Sequence, residues 1–187
     1  MAVTVKICGV QDEGTARFCF AHGADFVGLV FAASRRQISM DRARQLVQEI
    51  PGRYVAVVSS PDAEVLQKII QNVRPYAIQH HGVPRCDWLE LSHRQGTVAI
   101  ATTLNPQADI VLLDGPVPGQ GQERDWKRPA WPKPLWLAGG LSPDNVRDVV
   151  RTLKPDGVDV SSGVETQGKK DWGLIAAFIE EAKSWNE

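Results

Sequence analysis

Cys8 closes an apolar run, Val3-Thr4-Val5-Lys6-Ile7-Cys8, and Asp114 closes a matching one, Ile110-Val111-Leu112-Leu113-Asp114. A side chain that ionises near neutral pH and a carboxyl that keeps its proton are the two halves of a general base and acid pair. A thiol titrates near ~8.5 when unperturbed, so a modest lowering by local positive potential makes it a thiolate base. Lys6 lies two positions before Cys8, and residues two apart on a strand share a face. Its ammonium, one layer deeper, is a source of that potential. Asp114 needs the opposite treatment, desolvation or a neighbouring negative charge, to stay protonated. A free cysteine is most often a small buried hydrophobe, and an aspartate at a strand end often caps the next loop. The pair does chemistry if both runs are parallel strands of one closed sheet, so that both side chains emerge on one rim.

Two glycine-bearing turns follow later apolar runs. Gly139 and Gly140 permit close backbone approach, and Ser142-Pro143 starts a helix whose positive end can face an anion. Ser161, Ser162 and Gly163 offer further amides and hydroxyls, so together the turns suit a phosphate. His80 and His81 resemble a metal-ligand tract, but adjacent strand residues face opposite ways and no third ligand accompanies them, so no metal is expected. Cys19, between Phe18 and Phe20, reads as core, and Cys86 as a bystander.

These groups require a scaffold. The 187 residues suit a single domain, 1–187, with one hydrophobic core. Apolar runs alternate with segments of helical period, the pattern of repeated βα units. Eight runs stand out: Val3–Cys8, Phe26–Phe31, Tyr54–Val58, Ala77–His80, Val98–Thr102, Ile110–Asp114, Leu135–Ala138 and Val158–Ser161. They predict an α/β fold, a (β/α)8 barrel of the TIM type, in a chain shorter than the ~250 residues typical of that architecture. Ser60 with Pro61 and Ser142 with Pro143 read as helix starts. The apolar stripes are Leu66, Ile69, Ile70 and Val73, then Val146, Val149, Val150 and Leu153. Ala43, Leu46, Val47 and Ile50 form another, as do Ile175, Phe178, Ile179 and Ala182. Between Ile100 and Ile110 the spacing is too short for a helix, so the fifth helix is missing or reduced to a turn. The link then runs extended across the barrel's bottom and leaves a strand edge exposed. Gly115 to Pro134, rich in Gly and Pro, reads as a mobile loop over the site.

Net charge is -1, which gives no argument for nucleic acid or an anionic membrane as partner. No apolar run reaches membrane-spanning length and the N-terminus does not read as a secretion signal. Three cysteines without pairing suggest a reducing cytoplasm.

The motifs then carry a resemblance. Lys6-Ile7-Cys8-Gly9, Gly23-Ala24-Asp25-Phe26-Val27-Gly28, Ser34-Arg35-Arg36-Gln37-Ile38-Ser39 and Gln79-His80-His81-Gly82 come in order. Leu112-Leu113-Asp114, Gly139-Gly140-Leu141-Ser142-Pro143-Asp144-Asn145-Val146, Asp159-Val160-Ser161-Ser162-Gly163-Val164-Glu165 and Gly168-Lys169-Lys170-Asp171 follow. In that order and spacing the chain resembles the phosphoribosylanthranilate isomerase family of tryptophan biosynthesis. The resemblance implies a (β/α)8 barrel without metal or cofactor, acting on a small phosphorylated substrate in an Amadori rearrangement, as monomer or homodimer. It assigns Cys8 as base and Asp114 as acid, Arg36 to the anthranilate carboxylate, and His81 to lining or supporting the site. Arg35 leaves the arginine's register open by one. Where the family commonly has Gly-Gly-Thr/Ser-Gly before Phe-Asp-Trp, this chain has Gly119-Gln120-Gly121-Gln122 before Arg124-Asp125-Trp126. Two alternatives remain at this level. One is a related barrel isomerising another phosphoribosyl compound, which would use paired aspartates; the other is a phosphate-binding barrel that has lost catalysis.

Overall fold

The computed structural model describes residues 3–114 and 129–184. The apolar runs form eight parallel strands: β1 (Thr4–Cys8), β2 (Phe26–Val30), β3 (Tyr54–Ser59), β4 (Ala77–His81), β5 (Val98–Ala101), β6 (Ile110–Asp114), β7 (Leu135–Ala138) and β8 (Gly157–Val160). They pair in chain order, and β8 returns to β1 to close the barrel. Phe31, Thr102 and Ser161, expected as final strand residues, lie just past the pairing, whereas Ser59 and His81 fall inside it.

Among the described residues six helices surround the barrel: α1 (Glu13–Ala21), α2 (Met40–Glu49), α3 (Ala63–Val73), α4 (Trp88–Arg94), α5 (Pro143–Leu153) and α6 (Trp172–Lys183). Short polar side chains satisfy the first amides, as helix starts require. Asp12 accepts from Thr15 N at 2.8 Å, Ser39 from Arg42 N at 3.2 Å and Asp171 from Leu174 N at 3.1 Å. Ser142 and Pro143 open α5 as expected, with Ser142 N donating to Asn145 Oδ1 at 2.9 Å. Ser60 does not cap α3. It sits at φ 46°, a left-handed conformation foreign to caps, and its amide is spent on His81 O at 3.1 Å. The helix starts after Asp62 instead. The stripes face inward: Leu66, Ile69, Ile70 and Val73 on α3 and Ile175, Phe178, Ile179 and Ala182 on α6 are all buried. Each such large side chain contributes about 1.5–3 kcal/mol of burial.

No helix joins β5 to β6, as the spacing required. A turn in which Ala108 N meets Asn105 O at 3.2 Å replaces it. The link descends the outer wall from the upper rim rather than crossing the bottom, because the two parallel strands start at the same end. Asp109 fastens it, with Ala99 N on its Oδ2 at 2.8 Å and its own amide on Ala99 O at 3.0 Å. Ala108 fills the space a helix would occupy. Ala99 and Ala101 are buried beside it, so the exposed edge expected there does not arise.

Strand alternation sorts the remaining residues. Val5, Ile7, Val27 and Leu29 pack outward beneath the helices, while Lys6, Cys8, Phe26, Gly28 and Val30 point into the barrel. Phe26 and Trp136, with Tyr76, close its lower end, ring centroids 5.2 and 5.3 Å from Phe26, and Arg53 lies over Phe26 and Tyr76. After β8 comes a 3-10 turn (Ser162–Val164) and then a hairpin, β9 (Glu165–Thr166) and β10 (Lys169–Lys170). Gln167 and Gly168 form its turn, both at positive φ. Of the expected mobile loop, residues 115–128 lie outside the described residues, and so do Gly119–Gln122 and Arg124–Trp126. Among the described residues no helix is long and apolar enough to cross a membrane.

Candidate active site

A cavity of about 390 Å³ opens at the C-terminal ends of the strands, the rim on which barrels of this type carry their sites. Cys8, Asp114, Arg36, His81, Gly139, Gly140, Ser161, Ser162 and Gly163 all line it, whereas Lys6, Arg35 and His80 do not. Cys8 arrives on β1 and Asp114 on β6, with β7 and β8 between them on the shorter way round. The two side chains therefore stand on different walls of one mouth.

Lys6 shares the inward face with Cys8, as the even spacing required. It is fully buried and pairs with Asp159 of β8, Nζ to Oδ2 at 2.9 Å. Burial works against the Lys6 ammonium, but Asp159 and the Cys8 sulfur hold it above its ordinary value. The thiol does not behave as expected. Burial pushes Cys8 up, and although Lys6 and Lys170 pull it down, the net shift is upward. The reason is that sulfur is nearly enclosed and Asp159 spends much of the field of Lys6. Gly28, opposite Cys8 in register on β2, makes the room for both side chains: a Cβ there would lie 2.9 Å from Cys8 Sγ and 3.1 Å from Lys6 Cε.

Asp114 stands at the rim, and its carboxyl is raised, first by desolvation against the barrel mouth and further by Asp159, while His81 opposes the shift. This is the direction a proton donor needs. His81 is lowered, by burial first and then by Lys6, so it is held neutral. The Gln79 side-chain amide lies 2.8 Å from His81 Nε2, which fixes the ring. His80 faces outward and stacks on Trp88 of α4 at 4.9 Å. It therefore supports the wall from outside and does not line the cavity.

The two glycine turns meet. Gly139 and Gly140 take φ of 79° and 64°, open to glycine far more than to other residues. A Cβ on Gly163 would lie 1.8 Å from Leu141 O, so its hydrogen side chain lets the turn after β8 rest on the turn after β7. The Ser161 hydroxyl donates to Cys8 O at 3.1 Å and so ties this floor to the end of β1.

Arg36 lines the cavity, while Arg35 is largely exposed. Its stem crosses Gly9, where a Cβ would lie 2.5 Å from Arg36 Cδ. Glu165 of β9 holds its head, Nε to Oε1 at 2.7 Å and Nη2 to Oε2 at 2.8 Å. Arg35 and Lys170 bind the same carboxylate, at 2.7 and 2.8 Å. Burial pushes the Glu165 carboxyl up, but Arg36 and Lys170 hold it at about 2.

The sequence assigned no part to Gln79, Asp159, Glu165 or Lys170. The first two line the cavity, and Gln79 Oε1 and Asp159 Oδ1 are buried acceptors with no hydrogen-bond partner among the described residues. The inward parity of Gln79 with His81 was the available signal; the Lys6–Asp159 and Arg36–Glu165 pairs join residues far apart in the chain.

A family model described as N-(5'-phosphoribosyl)anthranilate isomerase matches residues 5–181. The N-(5'-phosphoribosyl)anthranilate isomerase of Streptococcus mutans is 37% identical over 193 residues, covering 96% of this chain and 98% of that protein. The crystal structure of TrpF from Jonesia denitrificans superposes with a TM-score of 0.85 at 29% identity, with 98% of each chain covered. A phosphoribosyl anthranilate isomerase in complex with reduced 1-(o-carboxyphenylamino)-1-deoxyribulose 5-phosphate superposes at 0.77 with 31% identity, covering 97% of this chain and 99% of that one.

Proposed function

The chain belongs to the N-(5'-phosphoribosyl)anthranilate isomerase family, and we propose that Cys8 is the base and Asp114 the acid of its reaction. That reaction is the Amadori rearrangement of N-(5'-phosphoribosyl)anthranilate to 1-(o-carboxyphenylamino)-1-deoxyribulose 5-phosphate, a step of tryptophan biosynthesis. Asp114 gives its proton to the ring oxygen while the nitrogen lone pair closes on C1 and the ring opens to a protonated Schiff base. The Cys8 thiolate then takes the proton from C2, and the electrons of that bond run through C1 to nitrogen. The resulting enol-enamine tautomerises to the ketone. Atoms and electrons rearrange within one molecule, so proton transfers account for every bond change and no cofactor is called for.

The observation that carries this reading is the convergence of thiol, carboxyl and paired glycine turns on one cavity. Backbone amides of Gly139, Gly140, Ser162 and Gly163 hold the phosphate, the Ser161 hydroxyl being occupied by Cys8. Arg36 takes the anthranilate carboxylate. Gln79 Oε1 and Asp159 Oδ1 receive sugar hydroxyls, which ends their isolation, and neutral His81 lines the passage between base and acid. The whole site comes from one chain, so a monomer or a homodimer carries it in each subunit, and 1–187 acts as one domain. A base that must stay a thiol fits a reducing cytoplasm.

Loss of anthranilate fluorescence tests the assignment. Cys8→Ser and Asp114→Asn each lower kcat by about 10² to 10⁴ with KM little changed. Either variant turning over within about tenfold of the parent overturns its role.

A further inference from the structure

We infer that Glu165 is a positioning residue for Arg36: it fixes which edge of the guanidinium faces the cavity and so sets the preference for an aryl amine that carries a carboxylate. The inference rests on the reading that Arg36 binds that carboxylate. An arginine has five N–H donors around a planar fork. Glu165 occupies the Nε–H and one Nη2–H, in two parallel contacts of 2.7 and 2.8 Å. What remains free of Glu165 is the end-on edge, with both N–H of Nη1 and the second of Nη2, the shape that accepts another carboxylate in two bonds.

Three features make the clamp rigid. Glu165's side chain is 4% exposed, so its position is set by packing. Arg35 and Lys170 hold its two oxygens from other directions, and β10 returns Lys170 through the hairpin to Ser161 O at 2.9 Å, beside the phosphate turn. The stem of Arg36 is confined over Gly9, one residue from the base. Substrate anchored at its phosphate thus meets a carboxylate receptor whose direction is fixed relative to Cys8, the condition for a reactive pose. Glutamine at 165 would retain one acceptor but turn an amide N–H₂ toward Nη2, donor against donor, and the fork would swing. An unclamped guanidinium still attracts anions, without direction, and that attraction is screened by salt.

The test compares two ligands by calorimetry: reduced 1-(o-carboxyphenylamino)-1-deoxyribulose 5-phosphate and its phenylamino counterpart lacking the carboxyl. The ratio of their dissociation constants is the readout, on the parent protein and on Arg36→Met, Glu165→Gln and Glu165→Asp. Arg36→Met abolishes the preference. Glu165→Gln reduces it about tenfold, leaves the phenylamino ligand within about threefold, and makes the remaining preference steeper in salt. Glu165→Asp, which keeps the charge but shortens the reach, loses a smaller part and decides the matter if the glutamine variant does not fold. Parental ratios in the Glu165 variants alongside a lost ratio in Arg36→Met would overturn the inference, as would equal weakening of both ligands. A parental ratio in Arg36→Met would overturn the reading of Arg36 itself.

Discussion

Gly28 offers a perturbation whose size follows from the coordinates. It lies on β2 opposite Cys8, and a Cβ there would approach Cys8 Sγ to 2.9 Å, Cys8 Cα to 3.0 Å and Lys6 Cε to 3.1 Å. Ordinary contact begins near 3.4 Å, so Gly28→Ala must drive the sulfur back by roughly half an ångström or more. The backbone yields less, because Gly28 O accepts from Gly9 N at 2.9 Å and Val10 N at 3.1 Å. A misplacement of about 1 Å costs on the order of 100-fold, so kcat should fall by roughly 10 to 100-fold. KM should move by less than about threefold, since the proposed phosphate and carboxylate contacts lie elsewhere. The strain should cost about 1–3 kcal/mol in urea unfolding. Gly157→Ala is the control: its Cβ would press within 2.6 Å of the Trp136 indole, at the closed lower end. It should lower stability similarly and spare kcat. A folded Gly28→Ala protein with parental kcat, or equal loss of kcat in both variants, would refute the reasoning.

Gly163→Ala forces the turns after β7 and β8 apart, from a 1.8 Å approach to Leu141 O, and should raise the inhibition constant of inorganic phosphate more than it lowers kcat. Lys6→Met leaves Asp159 buried without its cation and should cost about 3–5 kcal/mol in urea unfolding, most of it recovered in Lys6→Met with Asp159→Leu. The reactive form needs Asp114 protonated and Cys8 ionised, yet the carboxyl titrates below the thiol. Activity should therefore rise with pH through the Asp114 pKa, level off, and fall through the Cys8 pKa. Burial moves that final fall above the ordinary thiol range, so a fall of kcat/KM below 9.0, or Cys8 alkylation whose rise with pH has its midpoint below 9.0, would contradict the electrostatics.

Much of this was legible because local rules and the fold agree. The parity of Lys6 and Cys8, the Ser142-Pro143 start and the short stretch between Ile100 and Ile110 each constrain the backbone within a few residues. The structure places them as those rules require. Ser60 was misread because the start of α3 is settled by its amide's bond to β4, a contact from another strand. The thiol was expected to be lowered because Lys6 was visible in sequence, but Asp159 as its partner and the enclosure of the sulfur were not. Glu165 escaped for the same reason: two of its cations, Arg35 and Arg36, come from the distant loop after β2. The β9–β10 hairpin was not read from the sequence, although Gly168 after Gln167 is a turn signal there.

The central claim is geometric: one sugar phosphate, anchored on the glycine turns, lies between Cys8 and Asp114. The most direct test is the crystal structure of this chain with reduced 1-(o-carboxyphenylamino)-1-deoxyribulose 5-phosphate. The account predicts phosphate against the amides of Gly139, Gly140, Ser162 and Gly163, with Cys8 Sγ facing C2 and Asp114 facing the oxygen released from the ring. Phosphate bound elsewhere, or a ligand whose C2 turns away from Cys8, would contradict it.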